Sequence, residues 1–429
     1  MLFKVNQLLS GRVSASRHFY WGGAVLCLVL GLMLWAESVP ERWEWIGVTP
    51  VATIFVDISA VLAAGQAHSA GIYPFEVPNR FDFYGRPHVY GPGWFITGEL
   101  GLSVVDTFWV GCTLVMCFVT VMIGLFLPSD KAGGALTLLL LISPPVMIAL
   151  NRANNDLIMV LLLLVAAWLA GRPERIASWA VCIVLGVAAL LKFYPVVLGI
   201  VLVTQPGGWR RHVGMICSWS LTLSLIVVLQ WSSFVSALHL VPVGKSIFVY
   251  QFINALELLR DIFLKLPLTT WAGALVGIIA MVVMIWRGRR GWSDFLPTTG
   301  QWAMITVGCA TVWSACLFAG PNFNYRFIWL LPLAAFAWRR KDANGAEVGS
   351  LLIIVLILSW SWWPKHILAN MVQAGDHGAG WMLMNAVGFE QACLLGSLVV
   401  CLWMLTGWGM RRLRELTRVA APLQPTEIN

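Results

Sequence analysis

Charged residues are scarce in this chain. Only 11% of its 429 residues are Asp, Glu, Lys or Arg, whereas a soluble globular domain contains about 25%. A soluble fold is therefore excluded, because the chain has too few charges for a water-exposed surface. Hydrophobic residues make up 59% of the sequence, and they form runs of about 20 residues, the length that crosses about 30 Å of hydrocarbon. The sequence predicts an all-α polytopic membrane protein.

The chain also lacks the cysteine spacings of metal sites and disulfide frameworks. Its nine cysteines include no Cys-x-x-Cys pair, and all nine fall inside predicted spans, where Cys usually packs as a small apolar residue. The sequence contains no Walker loop and no recognisable soluble catalytic domain, which argues against nucleotide chemistry. We therefore expect no metal and no other cofactor.

Apolar segments recur along almost the whole chain, which we interpret as a single domain over residues 1–429. We predict about 12 transmembrane helices, with about 10 to 13 as the range. Two of the segments, 194–206 and 327–338, are short for full crossings. The predicted spans are 20–36, 103–128, 133–150, 154–171, 176–191, 194–206, 213–231, 269–286, 301–320, 327–338, 348–363 and 386–408.

The basic residues orient these spans. With the N-terminus in the cytoplasm, 18 of the 28 Lys and Arg residues fall in cytoplasmic loops and tails, as the positive-inside rule requires. Both termini are then cytoplasmic, the basic tail 409–429 included, and 37–102 forms a large outer loop with short helices. The net charge of +8 follows from this topology, so we expect no nucleic acid partner. Six of the seven tyrosines also fall at or beyond the outer surface, which favours chemistry on that face.

The first outer loop contains an isolated carboxylate. Residues 49–68 are typical of a re-entrant or interfacial helix, with Thr49 as a possible N-cap and Pro50 at the first helical position. Asp57 lies among apolar residues of this helix, where an ionisable group is costly unless it faces a polar cavity. This placement makes Asp57 a candidate functional residue. The alternative is an Asp that faces solvent on an amphipathic helix.

Residues 73–94 mix aromatic rings with hydrogen-bonding side chains and show no helical period. Rings stack on sugar faces while polar side chains pair with hydroxyl groups, so the segment predicts a carbohydrate or lipid headgroup site. An interfacial loop anchored by its aromatic rings is the alternative. The candidate sugar- or acceptor-binding residues here are Arg80, Asp82, Tyr84, His88 and Tyr90.

Three further outer turns each carry a cation between two apolar runs. Lys192, Arg152 and Arg326 are expected to bind a phosphate, and the planar fork of Arg suits phosphate oxygens. A Lys whose amine extends to the membrane interface and a capped hairpin at 318–332 are the alternatives. The same turns supply further candidate sugar- or acceptor-binding residues, namely Asn155, Asp156, Tyr194, Asn324 and Tyr325.

The stretch "ALNRANNDLIMV", residues 149–160, holds five polar side chains in six positions. Asn154 or Asn155 is expected to cap the helix that starts near residue 155. Arg152 is the predicted phosphate contact. Asp156 is either the ion-pair partner of Arg152 or an acceptor-binding carboxylate.

The sequence resembles a family of membrane enzymes in its middle part. The block from "ALNRANNDLIMV" to "LLKFYPVV" and "GGWRRH" looks like the polyprenol-phosphate-mannose-dependent mannosyltransferases, a family of the GT-C superfamily. Asp57 followed by Gly71 and Tyr73 is similar to another of its patterns, and "NYRFIWLLP" to its late outer turn. The resemblance covers residues 20–340, and "NRANND" departs from the simpler Gly-Asn turn common in the family.

The resemblance implies a GT-C-like helical bundle in the inner membrane and an inverting glycosyltransferase. Such enzymes move a hexose, here with mannose favoured, from a polyprenyl-phosphate-sugar donor to a lipid or glycan acceptor on the outer face, in contact with membrane lipids. An aspartate of the first outer loop is the general base, and on that pattern Asp57 is the catalytic residue. A lipid-headgroup or lipid-linked sugar transporter is the alternative, although no internal repeat of the transporter kind is visible.

Overall fold

The computed structural model describes residues 12–48, 53–75, 78–128, 130–172, 175–240, 249–250, 252–265, 271–318, 322–340, 346–373, 375–376 and 379–420. In these ranges the ordered elements are helices, apart from the two-residue strands β1 (Val249–Tyr250) and β2 (Asn322–Phe323), which pair antiparallel. The sequence prediction of an all-α architecture is confirmed at this level. The α-helices are α1 (Arg12–Glu37), α2 (Glu41–Trp45), α3 (Val56–Ser69), α4 (Ile96–Glu99), α5 (Thr107–Phe126), α6 (Lys131–Leu141), α7 (Pro144–Asn151), α8 (Asn155–Ala170), α9 (Arg175–Leu191), α10 (Trp209–Leu229), α11 (Trp231–Leu240), α12 (Phe252–Lys265), α13 (Trp271–Gly288), α14 (Gln301–Phe318), α15 (Leu331–Arg339), α16 (Ala346–Trp360), α17 (Trp362–Gln373) and α18 (Ala379–Ala420).

Five 3₁₀ helices connect these elements in the described part of the chain. They are Pro92–Phe95, Val104–Asp106, Tyr194–Thr204, Trp292–Asp294 and Asn324–Leu330. The last of them leads directly into α15, so the predicted span 327–338 consists of two helices of different pitch.

Membrane-spanning length is confirmed for part of the predicted topology. Among the described residues, seven helical segments are long and apolar enough to cross a membrane, and the bent pair α6–α7 would be an eighth. The chain is therefore a membrane-embedded helical protein. The seven segments are Arg17–Glu37, Val104–Phe126, Trp209–Val228, Trp271–Gly288, Gln301–Phe318, Ala346–Gln373 and Ala379–Thr417.

Three further predicted spans correspond to shorter apolar helices. These are Asn155–Ala170, Trp179–Leu191 and Tyr194–Thr204. The 16 residues of α8 rise about 24 Å, which is less than the about 30 Å of a hydrocarbon core. The count of about 12 crossings therefore stays a prediction.

The predicted span 133–150 is not one straight helix. α6 ends at Leu141, α7 begins at Pro144, and their axes differ by 61°. Pro144 and Pro145 explain this break, because proline cannot donate the hydrogen bond that continues a helix but fits the first turn of a new one. The end of α7 then meets the first loop, where the Asn151 carbonyl accepts a hydrogen bond from the Phe55 amide (2.8 Å).

The helix of the first loop begins later than the sequence pattern predicts. α3 starts at Val56, whereas the predicted start at Thr49 and Pro50 lies outside the described residues. Phe55 precedes α3 in the left-handed conformation, with φ of 63°, and a helix cannot run through such a residue. Its ring packs on Gly111 of α5, where an added Cβ would lie 2.3 Å from a ring carbon. The packing of Phe55 therefore fixes the start of α3 at Val56.

The core of the bundle is aromatic and aliphatic, and the outward faces of the spans are apolar as well. Trp292, Trp313 and Trp329 are fully buried. On α10, by contrast, Leu221 and Val228 are more than two-thirds exposed (71% and 73%). Lipid tails are as apolar as such side chains, so this surface suits contact with the bilayer.

Gly91 brings the first loop against the end of α9. Its amide donates to the carbonyl of Leu191 (3.0 Å), and a Cβ at this position would lie 2.0 Å from the carbonyl oxygen of Leu190. The φ of −68° at Gly91 is ordinary for any residue, so space alone requires glycine. This contact fixes Tyr90 beside Lys192, the next residue but one after Leu190.

We expect Gly91→Ala to destabilise the protein by about 1–3 kcal/mol, the usual cost of overpacking. The matched control is Gly214→Ala on α10, where a Cβ meets no atom within 4 Å and alanine favours the helix. Thermal unfolding of the purified full chain in detergent measures both variants. Equal midpoints for the two variants would contradict the close approach at Gly91.

Candidate functional site

Asp57 is the centre of a buried cluster of charges. It lies in the first turn of α3 and is only 3% exposed. Arg152 donates to both carboxylate oxygens, from Nε to Oδ2 (3.0 Å) and from Nη2 to Oδ1 (2.7 Å). The Asn154 amide also donates to Oδ2 (2.5 Å). This bidentate contact is the strong form of an ion pair, so the first loop and the turn after α7 are joined here.

Two left-handed residues shape the chain on either side of this contact. Phe55 precedes α3 with φ of 63°, and Ala153 lies between Arg152 and Asn154 with φ of 43°. Such a conformation is strained for residues other than glycine and persists only where surrounding contacts hold it. Two backbone hydrogen bonds supply these contacts, from Phe55 to the Asn151 carbonyl (2.8 Å) and from Asp57 to the Arg152 carbonyl (3.0 Å).

Arg86 adds a second guanidinium to the Asp57 carboxylate. Its Nη1 lies 3.7 Å from Asp57 Oδ1, and its other nitrogens donate to both oxygens of Asp82 (2.7 and 3.0 Å) and to the carbonyl of Val56 (2.8 Å). Burial opposes the charge on Arg86, but its hydrogen bond with Asp82 and the charge of Asp57 outweigh burial and raise the pKa of Arg86. Arg86 therefore stays cationic at physiological pH.

A second carboxylate centre forms around Asp156, which has no exposed surface. Lys192 Nζ forms an ion pair with Oδ1, and the Tyr194 hydroxyl donates to the same oxygen (2.7 Å). Arg326 Nε lies 3.6 Å from Oδ2. Asp156 thus pairs with Lys192 and not with Arg152, because Arg152 is held by Asp57. The ring of Tyr90 covers Lys192 at 5.3 Å.

Asn154 connects the two centres. Its side-chain oxygen accepts the backbone amide of Asp156 (2.9 Å) and so caps α8, as predicted. Its side-chain NH2 simultaneously donates to Asp57. One amide therefore fixes the start of α8 and orients the Asp57 carboxylate, a role that the sequence did not reveal.

The open edge of the cluster is cationic. The side chains of Arg86 and Arg152 are each 31% exposed and that of Arg326 is 17% exposed, whereas the carboxylates that they face are at most 4% exposed. Four cations (Arg86, Arg152, Lys192, Arg326) and three carboxylates (Asp57, Asp82, Asp156) give this cluster a net charge of +1. Such an edge attracts an anion, and guanidinium forks favour the oxygens of a phosphate or a carboxylate.

His88 is buried among aromatic rings and is bonded to the backbone. Its Nε2 lies 3.1 Å from the Gly91 carbonyl oxygen, and its ring is packed by those of Phe75, Tyr90 and Phe95. Burial lowers the pKa of His88 to about 4, although the Gly91 carbonyl opposes the shift. The ring is therefore neutral at physiological pH and donates from Nε2 to that carbonyl.

The other predicted binding residues differ in their placement. Arg80 is exposed with its guanidinium over the ring of Phe81 (5.1 Å). Tyr84 is 44% exposed, and its ring faces the Arg86 guanidinium at 5.2 Å. The side-chain amide of Asn155 is fully buried, and neither of its polar atoms has a hydrogen-bond partner among the described residues.

The turn at 322–330 also contributes residues to the charge cluster. Burial raises the pKa of the Tyr325 hydroxyl, and the nearby charges of Arg326, Asp156 and Asp57 also act on it. The phenol therefore lies near both carboxylate centres. Asn324 begins the 3₁₀ helix Asn324–Leu330, and its side chain lies outside the described part of the chain.

Two residues of the cluster were not among the predicted site residues. Asn154 was assigned only to helix capping, and Arg86 was not selected although it follows Asp82 by four positions. Both contact Asp57 across long sequence separations (97 residues for Asn154). The spacing of an Asp and an Arg four residues apart is a local signal that could have identified Arg86.

Comparison with protein-family models, with curated proteins and with solved structures finds no match to this chain. Within the described residues, no group of three or more His, Cys, Asp or Glu side chains is arranged to hold a metal ion. The class that fold and site define is therefore a helical membrane protein with a buried, cation-edged cluster of carboxylates.

The Asp57–Arg152 pair predicts an asymmetric response to substitution. Arg152→Gln leaves the Asp57 carboxylate buried without its bidentate partner, and removing one partner of a buried pair costs about 3–5 kcal/mol. Asp57→Asn leaves Arg152 without its carboxylate partner. The Arg152 side chain reaches water through its exposed edge, so we expect a smaller loss of stability. The double variant should recover part of the Arg152→Gln loss. Thermal and denaturant unfolding in detergent measure the cycle.

The matched control for this cycle is the exposed pair Arg260–Asp261 on α12 (3.0 Å). Surface pairs of this kind contribute little, so Arg260→Gln and Asp261→Asn should leave the unfolding midpoint unchanged. An Arg152→Gln variant as stable as the wild type would show that the buried pair carries no stability.

The lowered pKa of the buried His88 predicts that the folded protein loses stability in acid. Its folded pKa of about 4 lies below the ordinary 6.5, so the unfolded chain binds the extra proton first and stability falls as the pH drops from 6.5 to 4. The full loss amounts to about 3 kcal/mol. Unfolding measured between pH 7 and pH 4 should show a shallower pH dependence in His88→Gln, and an unchanged slope would exclude His88 as the source.

Proposed function

We propose that this protein is an inverting glycosyltransferase of a GT-C-like bundle with about 12 crossings. It transfers a hexose, with mannose favoured, from a polyprenyl-phosphate-sugar donor to a lipid-linked or glycan acceptor. The reaction takes place on the outer face of the cytoplasmic membrane, with both termini in the cytoplasm. The observation that carries the proposal is the buried carboxylate of Asp57 behind the cationic edge of the charge cluster, in a chain embedded in the membrane.

The proposed reaction is a single displacement. The acceptor oxygen attacks the anomeric carbon, the bond from that carbon to the phosphate oxygen breaks, and the configuration inverts. Asp57 takes the proton from the acceptor hydroxyl, and polyprenyl phosphate leaves with the bonding electron pair. A carboxylate is a weak base for an alcohol, so proton transfer is concerted with attack.

Cations stabilise the departing phosphate, which gains negative charge in the transition state. Preorganised donors aimed at such charge are usually the largest contribution to catalysis. Arg152, Lys192 and Arg326 take this role in the proposal, and Arg86 joins them because its Nη1 lies 3.7 Å from Asp57. These side chains supply the positive charge that a divalent metal supplies in other phosphate sites.

Polar and aromatic side chains next to the cations would bind the sugar and the acceptor. The buried Asn155 amide retains its full hydrogen-bonding capacity among the described residues, which suits sugar hydroxyls because these both donate and accept. Tyr90 and Tyr194 supply the rings that cover Lys192. Tyr325 lies near both carboxylate centres, and the more exposed Tyr84 faces the Arg86 guanidinium.

The experiment is transfer of a labelled sugar from a polyprenyl-phosphate donor by the purified protein in detergent. We expect Asp57→Asn to lower the transfer rate by about 10²–10⁴, the usual contribution of a general base, while the variant remains folded. The control is Asp261→Asn, which removes an exposed carboxylate and should transfer at the wild-type rate. Near-normal transfer by Asp57→Asn would remove Asp57 as the base.

A second candidate function is transport of a lipid headgroup or a lipid-linked sugar. The observation that favours it is the 61° bend between α6 and α7, because transporters place interrupted helices at their substrate sites, and α7 ends one residue before Arg152. Movement of a lipid-linked sugar across proteoliposomes without formation of a glycosidic bond would establish this function in place of the first.

A further inference from the structure

The Asp57 carboxylate is held in the way that a protein holds a bound anion. Its Oδ2 accepts from Arg152 Nε and from the Asn154 amide, and its Oδ1 accepts from Arg152 Nη2. Arg86 Nη1 stands 3.7 Å from Oδ1. Both lone pairs of Oδ2 are occupied. One lone pair, on Oδ1 beside Arg86, is left to accept a hydrogen bond from an acceptor hydroxyl while Arg152 holds the carboxylate.

We propose that Asp57 occupies an anion site formed by Arg152 and Arg86, and that a ligand phosphate displaces it from Arg152. The displacement frees Asp57, so binding of the phosphate precedes activation of the base. The identity of the phosphate, that of a polyprenyl donor, rests on the proposed function. The exchange itself requires the side chains of Asp57, Arg152 and Arg86 and an anion that binds Arg152.

The chemistry of the donors supports the exchange. A guanidinium fork presents two parallel N–H groups, which fit two oxygens of a carboxylate or two oxygens of a phosphate equally well. Arg152 and Arg86 are each 31% exposed, whereas Asp57 is 4% exposed at its side chain. An incoming anion therefore reaches the guanidinium groups from the open edge without first passing Asp57.

The charges of the cluster also fit one added anion. Its four cations and three carboxylates leave a net charge of +1, and the phosphodiester of a polyprenyl-phosphate sugar carries one negative charge. Binding therefore neutralises the cluster. The released Asp57 keeps the Asn154 amide and Arg86 at 3.7 Å, and the new contact of the phosphate with Arg152 offsets the loss of the bidentate pair, an offset that Arg152→Gln lacks.

The backbone allows the exchange without local unfolding. The amide of Phe55 is bonded to the Asn151 carbonyl and the amide of Asp57 to the Arg152 carbonyl, and neither bond involves the Arg152 side chain. Asn154 is held separately by its cap on Asp156. The Arg152 side chain can thus change partners while the turn and the start of α3 remain in place.

The test is binding of polyprenyl phosphate to the purified full chain in nanodiscs. Asp57→Asn keeps the size of the side chain but removes its charge and its competition for Arg152. We expect the variant to bind polyprenyl phosphate about tenfold more tightly than the wild type, the ratio that corresponds to one charged hydrogen bond. Uncharged polyprenol should bind both proteins with equal affinity.

Two further variants test whether the gain in affinity comes from the exchange or from a general change in charge. Asp82→Asn removes the same charge from the same cluster but leaves the Asp57–Arg152 contact, so its gain in affinity should be smaller. The double variant Asp57→Asn with Arg152→Gln should lose the gain entirely. Unchanged or weaker binding by Asp57→Asn, or a gain that persists in the double variant, would overturn the proposal.

Binding and transfer measured together distinguish failure of the exchange from failure of the proposed function. A wild-type protein that transfers no sugar, but whose Asp57→Asn variant binds polyprenyl phosphate more tightly, refutes the transferase and retains the exchange. A protein that transfers sugar while Asp57→Asn shows no gain refutes the exchange and retains the transferase. No binding of polyprenyl phosphate by Asp57→Asn refutes the exchange as well.

Discussion

The bidentate contact between Asp57 and Arg152 is the interaction on which the arrangement of the charge cluster depends. A carboxylate with 3% exposure is stable as an ion only if a cation and further donors replace its water. The first loop itself supplies Arg86, whose Nη1 stands 3.7 Å from Asp57, but the bidentate fork comes from Arg152 in the turn after α7. The two segments must therefore meet, and Asn154 passes the constraint on to α8 because it binds Asp57 and caps that helix at the same time.

The backbone on either side of the Asp57–Arg152 pair is strained. Phe55 and Ala153 are left-handed without being glycine, and each lies within two residues of a member of the pair. Glycine at these positions would relieve the strain but would also free the backbone. Bulky Phe55 instead packs against Gly111 and holds the turn. The protein thus maintains costly local geometry where two charged side chains must be aligned.

The sequence predicted the general features of the fold and the groups of the site, but not their pairing. Scarcity of charge predicts membrane embedding regardless of tertiary structure, and the charge bias of the loops placed Asp57, Arg152, Lys192 and Arg326 on one face, where the structure does bring them together. The partners of Asp57 and Asp156 were not predictable, because they depend on the meeting of turns 95 and 36 residues apart. The start of α3 at Val56 likewise follows from the packing of Phe55, whereas the Pro-Pro pair at 144 and 145 was a local signal for the break between α6 and α7.

The separation of the two partners has a consequence for the biosynthesis of the protein. Asp57 and Arg152 are 95 residues apart, and ribosomes add about 5–20 residues per second. The carboxylate is therefore made between about 5 s and about 20 s before its guanidinium exists. During this interval Asp57 has neither the Arg152 fork nor the Asn154 amide, and among its described partners only the Arg86 guanidinium has been made. The carboxylate is fully held only when a turn that the ribosome has yet to translate reaches the first loop.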